Sequence, residues 1–349
     1  MKALALTAST TVSALGAGRE ALRAALHDRR GGLRPGDFPG GPEGAWLGRV
    51  SGLEEVALPP DLSGFACRNN RLAEMALATD GFADAVGAAR ERHGAERVAV
   101  CLGTSTAGIE ETEGAYRRRS PDGALPADFD FERTHDLQAL PRYVRARLGL
   151  RGPALSISTA CTSGARSFLE AAVLIEAGLA DAVVVGGVDT LCRMTLRGFA
   201  SLELLSRGPC RPCAADRDGI SIGEAAALVL LERAEGAPAG AVLLLGAGAS
   251  SDGHHMSSPH PDGLGAVSAM RAALDAAGLR LDGVDYVNLH GTGTRANDAM
   301  EDRAVAHLFG DGGVPCSSIK GWTGHTLGAS GALEAVAATI CVEDGLVPG

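Results

Sequence analysis

The 349-residue sequence has no run of 18 or more apolar residues free of charge, so it offers no candidate transmembrane helix. It also has no basic excess. A net charge of −10 argues against broad binding to nucleic acid or to an anionic membrane. Neither a Walker A sequence nor a dinucleotide-binding fingerprint is present, so no nucleotide cofactor is implied. The eight cysteines follow no regular spacing, which is typical of reduced thiols and predicts a cytoplasmic protein.

Short apolar, β-branched runs alternate along the chain with longer Ala-rich segments of helical periodicity. Strands are predicted at 97–103, 180–187, 225–234, 240–249 and 284–291, and helices near 69–91, 164–178, 265–277, 298–308 and 331–343. Because the predicted strands are apolar on both faces, we expect an α/β protein whose sheets are covered by helices. The segment 232–241 is the best candidate for a linker.

Two parts of the chain resemble each other in the same order. The segment "VCLGTSTAG" (100–108) resembles "NLHGTGTRA" (288–296), and "CTSGARSFLEAA" (161–172) resembles "GASGALEAVAA" (328–338). This order predicts two related halves, 1–235 and 240–349, in which Cys161 and Gly328 occupy equivalent turns. Only 21 residues follow Gly328, whereas 72 separate Cys161 from Arg233, so the second half is expected to be incomplete.

Cys161 stands between a β-branched run and a long predicted helix in "SISTACTSGARSFLEAA" (156–172). A helix N-terminus presents unpaired N–H groups and a partial positive charge, which lower the pKa of a thiol and can hold an oxyanion. Small neighbouring residues leave room for a substrate. On position alone, a nucleophile and a buried structural cysteine are equally good interpretations.

Two further segments place polar side chains at predicted strand-to-helix loops. "VNLHGTGTRANDAMED" sets His290 at a strand end, and "SSIKGWTGHTLGASG" sets Lys320 and His325 five residues apart before a helix. Taken singly, each histidine is better interpreted as a structural residue. Because ligands of α/β folds collect where strands end and helices begin, we expect these loops to converge on the Cys161 turn.

With these residues in place, the sequence resembles the β-ketoacyl-acyl carrier protein synthases, which are the thiolase-fold condensing enzymes of fatty acid and polyketide synthesis. The resemblance runs through nearly the whole chain and rests on "TACTSGA", "NLHGTGTRANDAMED" and "SIKGWTGHTLGASGA", supported by residues 211–233. It implies a five-layered αβαβα architecture of two βαβαβ-type halves, the C-terminal one truncated. The Cys-His-His set is that of the elongating synthases, since initiating synthases have Asn at the second His and thiolases a second Cys.

The resemblance also implies a role for each residue. Cys161 would accept an acyl chain as a thioester, and malonyl-carrier protein would then lose carbon dioxide to leave an enolate that attacks it. His290 and His325 would stabilise the enolate oxygen. Lys320 would position the second histidine, and Glu301 would belong to the supporting polar network.

Partners follow from the same resemblance. Thr292 and Thr294 match threonines that bind the phosphopantetheine arm of the acyl carrier protein, although turn chemistry explains them almost as well. Arg68 and Arg71 match the carrier-docking position, with an exposed helix face as the alternative. No tightly bound cofactor and no metal are expected. The family dimerises through the strand that "ADAVVVGG" (180–187) matches.

The second subunit would be an identical chain or a chain-length-factor-like protein, because residues 103–114 resemble synthases of aryl-polyene-type pathways. Three functions stay open: an elongating condensing enzyme, which leads; a thioester acyltransferase that forms no carbon–carbon bond; and a non-catalytic chain-length factor, against which Cys161 counts.

Three other motifs are weaker. "GISIG" (219–223) matches a nucleophile elbow, but it lacks the preceding strand and following helix, so Ser221 is not expected to be a nucleophile. "CRPC" (210–213) has no second Cys/His pair to complete a metal site. The resemblance implies that the histidine-containing segment 252–263 forms a loop near the pocket entrance, which makes metal binding the weaker interpretation.

Overall fold

The computed structural model describes residues 1–255, 258–310 and 313–349. The strands are β1 Leu4–Ser13, β2 Gly16–Ala17, β3 Arg34–Pro35, β4 Trp46–Gly48, β5 Val98–Gly103, β6 Ala154–Ile157, β7 Ala182–Asp189, β8 Ile222–Gly223, β9 Ala225–Arg233, β10 Leu243–Leu244, β11 Val287–Asn288 and β12 Cys316–Ser317. The helices are α1 Arg19–His27, α2 Arg68–Leu77, α3 Phe82–His93, α4 Ile109–Arg117, α5 Phe131–Thr134, α6 Ala139–Arg147, α7 Ser163–Glu176, α8 Arg193–Ser201, α9 Leu264–Ala277, α10 Arg295–Phe309, α11 Lys320–Thr323 and α12 Ser330–Asp344. Within these ranges no helix is both long and apolar enough to cross a membrane.

Seven strands form the main sheet, in the order β10-β1-β9-β7-β5-β6 with β2 added to β1. β9 runs antiparallel to both β1 and β7, whereas β7, β5 and β6 are parallel. Every residue of β7 is buried, as expected for a Val-rich strand covered on both faces. The sheet therefore places the carboxyl ends of β5, β6 and β7 side by side. At these ends the chain leaves each parallel strand and continues toward a helix.

Helices cover both faces of the main sheet and build two apolar cores. One face packs against α2, α3 and α6, and the other against α1, α7 and α12. α7 and α12 also pack against each other, although they come from different halves of the chain. The close crossing needs glycine at Gly164, where a Cβ would lie 2.7 Å from the Gly328 carbonyl oxygen.

The second half adds a smaller set of elements beyond α12. β11 and β12 pair in parallel, and α9 packs against α10. Glu334 of α12 meets Lys320, which begins α11 directly after the β12 loop. The layers follow one another in this order: outer helices, main sheet, α7 with α12, second sheet, and α9 with α10. This is the layer order of the thiolase-like fold expected from the amino-acid sequence.

Most predicted elements are confirmed, and the departures have local causes. The helix predicted over 69–91 is two helices, because Asp80 and Gly81 adopt positive φ angles of 57° and 67° between them. The strands predicted at 240–249 and 284–291 pair over only two residues each. The expectation that strand 180–187 forms a dimer edge is wrong. β7 pairs with β5 and β9, and β6 lies at that side of the sheet instead.

Candidate active site

Cys161 lies in the turn between β6 and α7, as the sequence predicts. The preceding residue, Ala160, has φ +54°, a left-handed conformation that is uncommon for a residue with a Cβ. Ser163 closes the turn, since its Oγ accepts a hydrogen bond from Thr159 N at 2.9 Å and donates one to Ala160 O at 2.5 Å. This strained turn holds the Cys161 side chain at the floor of a large cleft.

The equivalent turn in the second half has the same backbone feature. Leu327, which precedes Gly328, has φ +53°, and α12 follows as α7 follows Cys161. The turns at Cys161 and Gly328, which the sequence predicts to be equivalent, thus share the same backbone conformation at the preceding residue. The second turn presents a glycine to the interior where the first presents a thiol.

His325 is anchored to both halves of the chain. Its backbone N–H donates to Ser221 O at 2.7 Å, and its carbonyl accepts from Gly223 N at 3.0 Å. Its Nε2 lies 2.9 Å from Cys161 Sγ, and its Nδ1 lies 2.9 Å from Ser330 Oγ. The ring is therefore fixed at both nitrogens, with one of them directed at the sulfur.

His290 follows β11 and lies edge-on to His325, with the ring centroids 5.1 Å apart at 88°. Glu301 of α10 shapes its loop by accepting hydrogen bonds from the backbone N–H groups of His290 at 2.7 Å and Gly291 at 2.6 Å. Asn297 also donates to Glu301, at 2.9 Å. Glu301 thus lies in the polar network where the resemblance places it, and acts on the His290 backbone rather than on its ring.

Lys320 is buried, with 1% of its surface exposed, and its ammonium pairs with Glu334 of α12. Within the described part of the chain it donates to no ring nitrogen. Its effect on the histidines is electrostatic, because its charge lowers the pKa of both. That Lys320 positions the second histidine therefore stays a prediction, and no direct hydrogen bond between the two described side chains supports it.

Burial controls the protonation of the three reacting side chains. It lowers the pKa of His290 to about 3 and that of His325 well below its usual range, with Lys320 adding to both effects and His290 adding to the second. Both imidazoles are therefore neutral at pH 7. Burial raises the pKa of Cys161, Lys320 opposes the rise, and Asp189 adds to it. The expectation of a lowered thiol pKa is wrong, because burial outweighs the favourable groups around the sulfur.

Asp189, fully buried at the end of β7, supports the candidate site from outside the cleft, and sequence patterns do not reveal it. Its Oδ1 accepts from Thr104, Ser105 and Thr106, and its Oδ2 accepts from Ser105 and, at 2.6 Å, from the backbone N–H of Gly328. A carboxylate of the first half thereby ties the loop after β5 to the turn that follows His325.

The cleft has a volume of about 1320 Å³ and brings together Cys161, His290 and His325. Thr292 and Thr294 also line it, and their hydroxyl oxygens lie 3.0 Å apart. The loop expected at the entrance contributes residues 258 and 259, whereas residues 256 and 257 lie outside the described residues. Cys161, the two histidines and the two threonines thus line one cavity, whereas Lys320 is buried behind it and does not line it.

Arg68 does not have the free guanidinium expected of a docking residue. It forms a bidentate pair with Glu224 at 2.7 and 3.0 Å, and the Glu224 side chain is fully buried. Glu224 also accepts from the backbone N–H groups of Val50 and Leu191. Arg68 and Arg71 line a separate cavity of about 250 Å³. The assignment of Arg68 to carrier docking is therefore corrected to a structural role, because its charge is used inside the protein.

The structure also places the two weaker motifs, "GISIG" and "CRPC". Ser221 is buried, and its Oγ accepts from Cys210 N at 3.0 Å, so the hydroxyl is not presented to the cleft. Of the "CRPC" cysteines, Cys210 is buried and donates to Lys320 O at 3.1 Å, while Cys213 is exposed. The donor atoms of Cys161 and the two histidines lie within 4.8 Å of one another, close enough to hold a soft metal. Catalysis without a metal therefore stays a prediction.

A helix-covered mixed sheet with a cysteine at a strand-to-helix turn, facing two neutral imidazoles from the second half of the chain, is typical of thiolase-fold condensing enzymes. Residues 69–237 match the family "Beta-ketoacyl synthase, N-terminal domain", and residues 241–349 match "Beta-ketoacyl synthase, C-terminal domain". The chain belongs to the β-ketoacyl synthase family.

Individual relatives agree with this assignment. A ketosynthase solved in complex with its chain length factor, from Xenorhabdus doucetiae, superposes with a TM-score of 0.90 at 40% identity, covering 100% of this chain and 86% of that one. "Nodulation protein E" of Rhizobium meliloti is 36% identical over 72% of this chain and 64% of its own length. "3-oxoacyl-[acyl-carrier-protein] synthase 2" of Vibrio cholerae is 35% identical over 73% of this chain and 65% of its own length. The chain thus spans less than two thirds of the length of these curated relatives.

Proposed function

We propose that this protein is an elongating β-ketoacyl-acyl carrier protein synthase, which condenses an acyl group on Cys161 with malonyl-carrier protein. The observation that supports this most directly is the arrangement of Cys161 Sγ, 2.9 Å from His325 Nε2, with the His290 ring edge-on to His325 in the same cleft. One nucleophile and two neutral N–H donors are what the two half-reactions need.

In the first half-reaction, Cys161 attacks the carbonyl carbon of an acyl-carrier protein thioester. The new carbon–sulfur bond forms on Cys161, the bond to the phosphopantetheine sulfur breaks, and the cysteine proton leaves with that thiol. The raised thiol pKa leaves Cys161 largely protonated before the substrate binds. The His325 N–H and the Lys320 charge therefore favour the thiolate at the moment of attack.

In the second half-reaction, malonyl-carrier protein loses carbon dioxide, and the electron pair of the broken bond forms an enolate. Negative charge collects on the thioester oxygen, where neutral imidazole N–H groups of His290 and His325 donate hydrogen bonds. In a water-poor site each such donor lowers the barrier by about 3 kcal/mol. The enolate carbon then attacks the acyl-Cys161 carbonyl, and the released thiolate takes up a proton.

The phosphopantetheine arm would reach Cys161 through the cleft, along Thr292 and Thr294, whose hydroxyls offer partners for its amides. At the mouth of the cleft stand Arg207 and Arg295, both exposed and without an ion pair in the described part of the chain. Unpaired cations at this place suit an acidic carrier protein better than Arg68 does. The arm is delivered as part of the substrate, so no resident cofactor is required.

We place the second subunit on the edge strand β6, whose Leu155 is 38% exposed, and on the outer face of α7, where Val173 is 52% exposed. Among the described strands none pairs with the outer edge of β6, where only the Gln138 side chain bonds Ala154 O and Ser156 N, and an apolar edge of this kind needs a covering partner. Because β6 leads directly into Cys161, that subunit, identical or chain-length-factor-like, would border the acyl site. The eight free thiols agree with a reducing compartment such as the cytoplasm.

The two alternatives fit less well. An acyltransferase would need Cys161 and one base, which leaves the second neutral imidazole without a role. A non-catalytic chain-length factor would not need the hydrogen bond between His325 and Cys161. Both alternatives remain outcomes of the experiment that follows.

The test starts from the full-length protein incubated with an acyl-acyl carrier protein and weighed intact. An acyl adduct is expected on the parent and on Cys213→Ala, an exposed-thiol control, and is expected to be missing from Cys161→Ala. An adduct that persists in Cys161→Ala, or that never forms, rejects Cys161 as the nucleophile.

Malonyl-carrier protein is then added to the acylated protein. A β-ketoacyl product with release of one carbon dioxide per turnover supports the synthase. Acyl transfer without either product would assign the acyltransferase. In His290→Ala we expect acylation to persist while decarboxylation falls about 100-fold or more, the loss typical of one oxyanion donor.

A further inference from the structure

Four side chains form a single hydrogen-bonded row behind the cleft. Thr326 Oγ1 lies 3.2 Å from Ser330 Oγ, Ser330 Oγ lies 2.9 Å from His325 Nδ1, and His325 Nε2 lies 2.9 Å from Cys161 Sγ. Thr326 and Ser330 are 1% and 2% exposed, so water does not complete their hydrogen bonding. In residues 1–255, 258–310 and 313–349 Thr326 Oγ1 has no other partner.

The protons in this row can point in only two consistent directions, because the imidazole is neutral and has one N–H. In the first, Thr326 donates to Ser330, Ser330 donates to Nδ1, and the ring donates from Nε2 to the sulfur. In the second, the thiol donates to Nε2, Nδ1 donates to Ser330, and Ser330 donates to Thr326. Each direction leaves one proton at an end of the row without an acceptor.

The two ends differ in cost. In the second direction the hydroxyl proton of Thr326 has no acceptor in the protein interior, and a buried hydroxyl without an acceptor destabilises the folded state. The first leaves only the S–H proton of Cys161, a weak donor that faces the cleft and is lost when the thiol ionises. The first direction is therefore favoured, and it holds the ring proton on Nε2.

We propose that Ser330 is a positioning residue that holds neutral His325 in the tautomer with its proton on Nε2. The proposal rests on the function given above, since that tautomer is the one able to donate to the enolate oxygen. The opposite tautomer would present a nitrogen lone pair to a developing negative charge and repel it. Ser330 touches neither substrate nor sulfur and acts only through the ring.

The internal repeat shows how the serine becomes available. Ser163, its equivalent in the first half, uses its hydroxyl within its own turn, between Thr159 N and Ala160 O. Ser330 makes neither of the equivalent bonds, and its hydroxyl turns toward the ring instead. The same position in the two halves thus shapes a nucleophile turn in one and sets a proton in the other.

The tautomer is measured directly by long-range ¹H–¹⁵N correlation spectra of histidine-labelled full-length protein, with the His325 signals identified by their absence from His325→Asn. The parent is expected to show the Nε2–H form. Ser330→Ala is expected to show a mixture of both tautomers, and Ser330→Thr, which keeps the hydroxyl, to restore the parent pattern. Thr326→Val is expected to keep the Nε2–H form, because the Ser330 proton still needs Nδ1 as its acceptor.

Activity supplies the second measurement. Ser330→Ala is expected to lower kcat for malonyl decarboxylation about 10- to 100-fold with KM little changed, the range typical of residues that orient a reacting group. Thr339→Val removes another buried hydroxyl of α12, nine residues beyond Ser330, whose bond in the described part of the chain is to Ala335 O of the same helix, and should match the parent.

The two failures can be told apart. A parent with the proton on Nδ1, or a Ser330→Ala variant with parental tautomer and rate, overturns the role of Ser330. A parent that shows the Nε2–H form but neither acylates nor decarboxylates overturns the proposed function instead.

Discussion

Replacing Asp189 by asparagine tests the link between the two halves of the protein. The carboxylate is fully buried and its two oxygens accept hydrogen bonds from both sides of the junction. Asparagine has nearly the same shape, but one of its two terminal atoms is a donor. The substitution therefore changes hydrogen bonding and charge without opening a cavity.

The expected loss follows from counting donors. The amide oxygen is best kept on the side of Oδ1, where the backbone N–H groups of Ser105 and Thr106 lie at 2.8 and 2.9 Å. The amide nitrogen then faces Gly328 N, 2.6 Å from the present Oδ2. A charge-assisted hydrogen bond worth about 1.5–3 kcal/mol is lost, and a buried N–H left without an acceptor costs about 1–3 kcal/mol. Ser105 Oγ can rotate to another acceptor and adds nothing, so the sum of the two terms is about 2.5–6 kcal/mol.

Urea unfolding followed by circular dichroism measures this difference at pH 7, with Asp282→Asn, an exposed acid, as the matched control. We expect the control to change the free energy of unfolding by less than about 0.5 kcal/mol. The rate of Cys161 acylation should fall in Asp189→Asn, because the turn after His325 loses its tie. An Asp189→Asn protein within about 0.5 kcal/mol of the parent would refute the reasoning.

Three further predictions concern charge in the interior. Lys320→Met should move the alkylation of Cys161 by iodoacetamide, followed by peptide mass, to higher pH, since the ammonium lowers the thiol pKa; a shift to lower pH would contradict this. Arg68→Met should cost about 3–5 kcal/mol in urea unfolding because it leaves Glu224 buried without its partner, and a cost below about 1 kcal/mol would argue for a surface role. The free energy of unfolding should fall by about 2 kcal/mol from pH 7 to pH 5 through His290 alone. In the unfolded protein this imidazole binds a proton below about pH 6.5. In the folded protein it stays neutral over this range, because its pKa is about 3. His290→Gln should lose that part of the pH dependence, and an identical slope in both proteins would contradict the assignment.

The fold was predictable where one pattern dominates a segment. β7 and β9 are apolar on both faces, and α7 and α12 keep helical periodicity throughout, so their types and approximate bounds follow from sequence. Which strands pair with one another does not follow from the sequence. The Val-rich run of β7 is equally compatible with an edge that a second subunit covers and with the interior position it has, because burial on both faces looks the same in either case.

The site was predictable where chemistry and local position coincide. Cys161, His290 and His325 each stand at a strand end or helix start, and the structure brings them into one cleft. Asp189 and Ser330 could not be found in that way. Each acts through a hydrogen bond whose partner is set by three-dimensional packing, and buried Asp and Ser have many possible roles. Arg68 shows the converse, since its buried partner Glu224 lies 156 residues away.

The left-handed residues before Cys161 and Gly328 give these two turns the same backbone shape. In the second turn the Gly328 N–H donates to Asp189, and a Cβ on Gly328 would lie 2.7 Å from the carboxylate oxygen. A carboxylate of the first half therefore occupies the position where the first turn carries the Cys161 side chain. A cysteine introduced at Gly328 would have to displace Asp189, and with it the contact between the halves, before it could act as a second nucleophile.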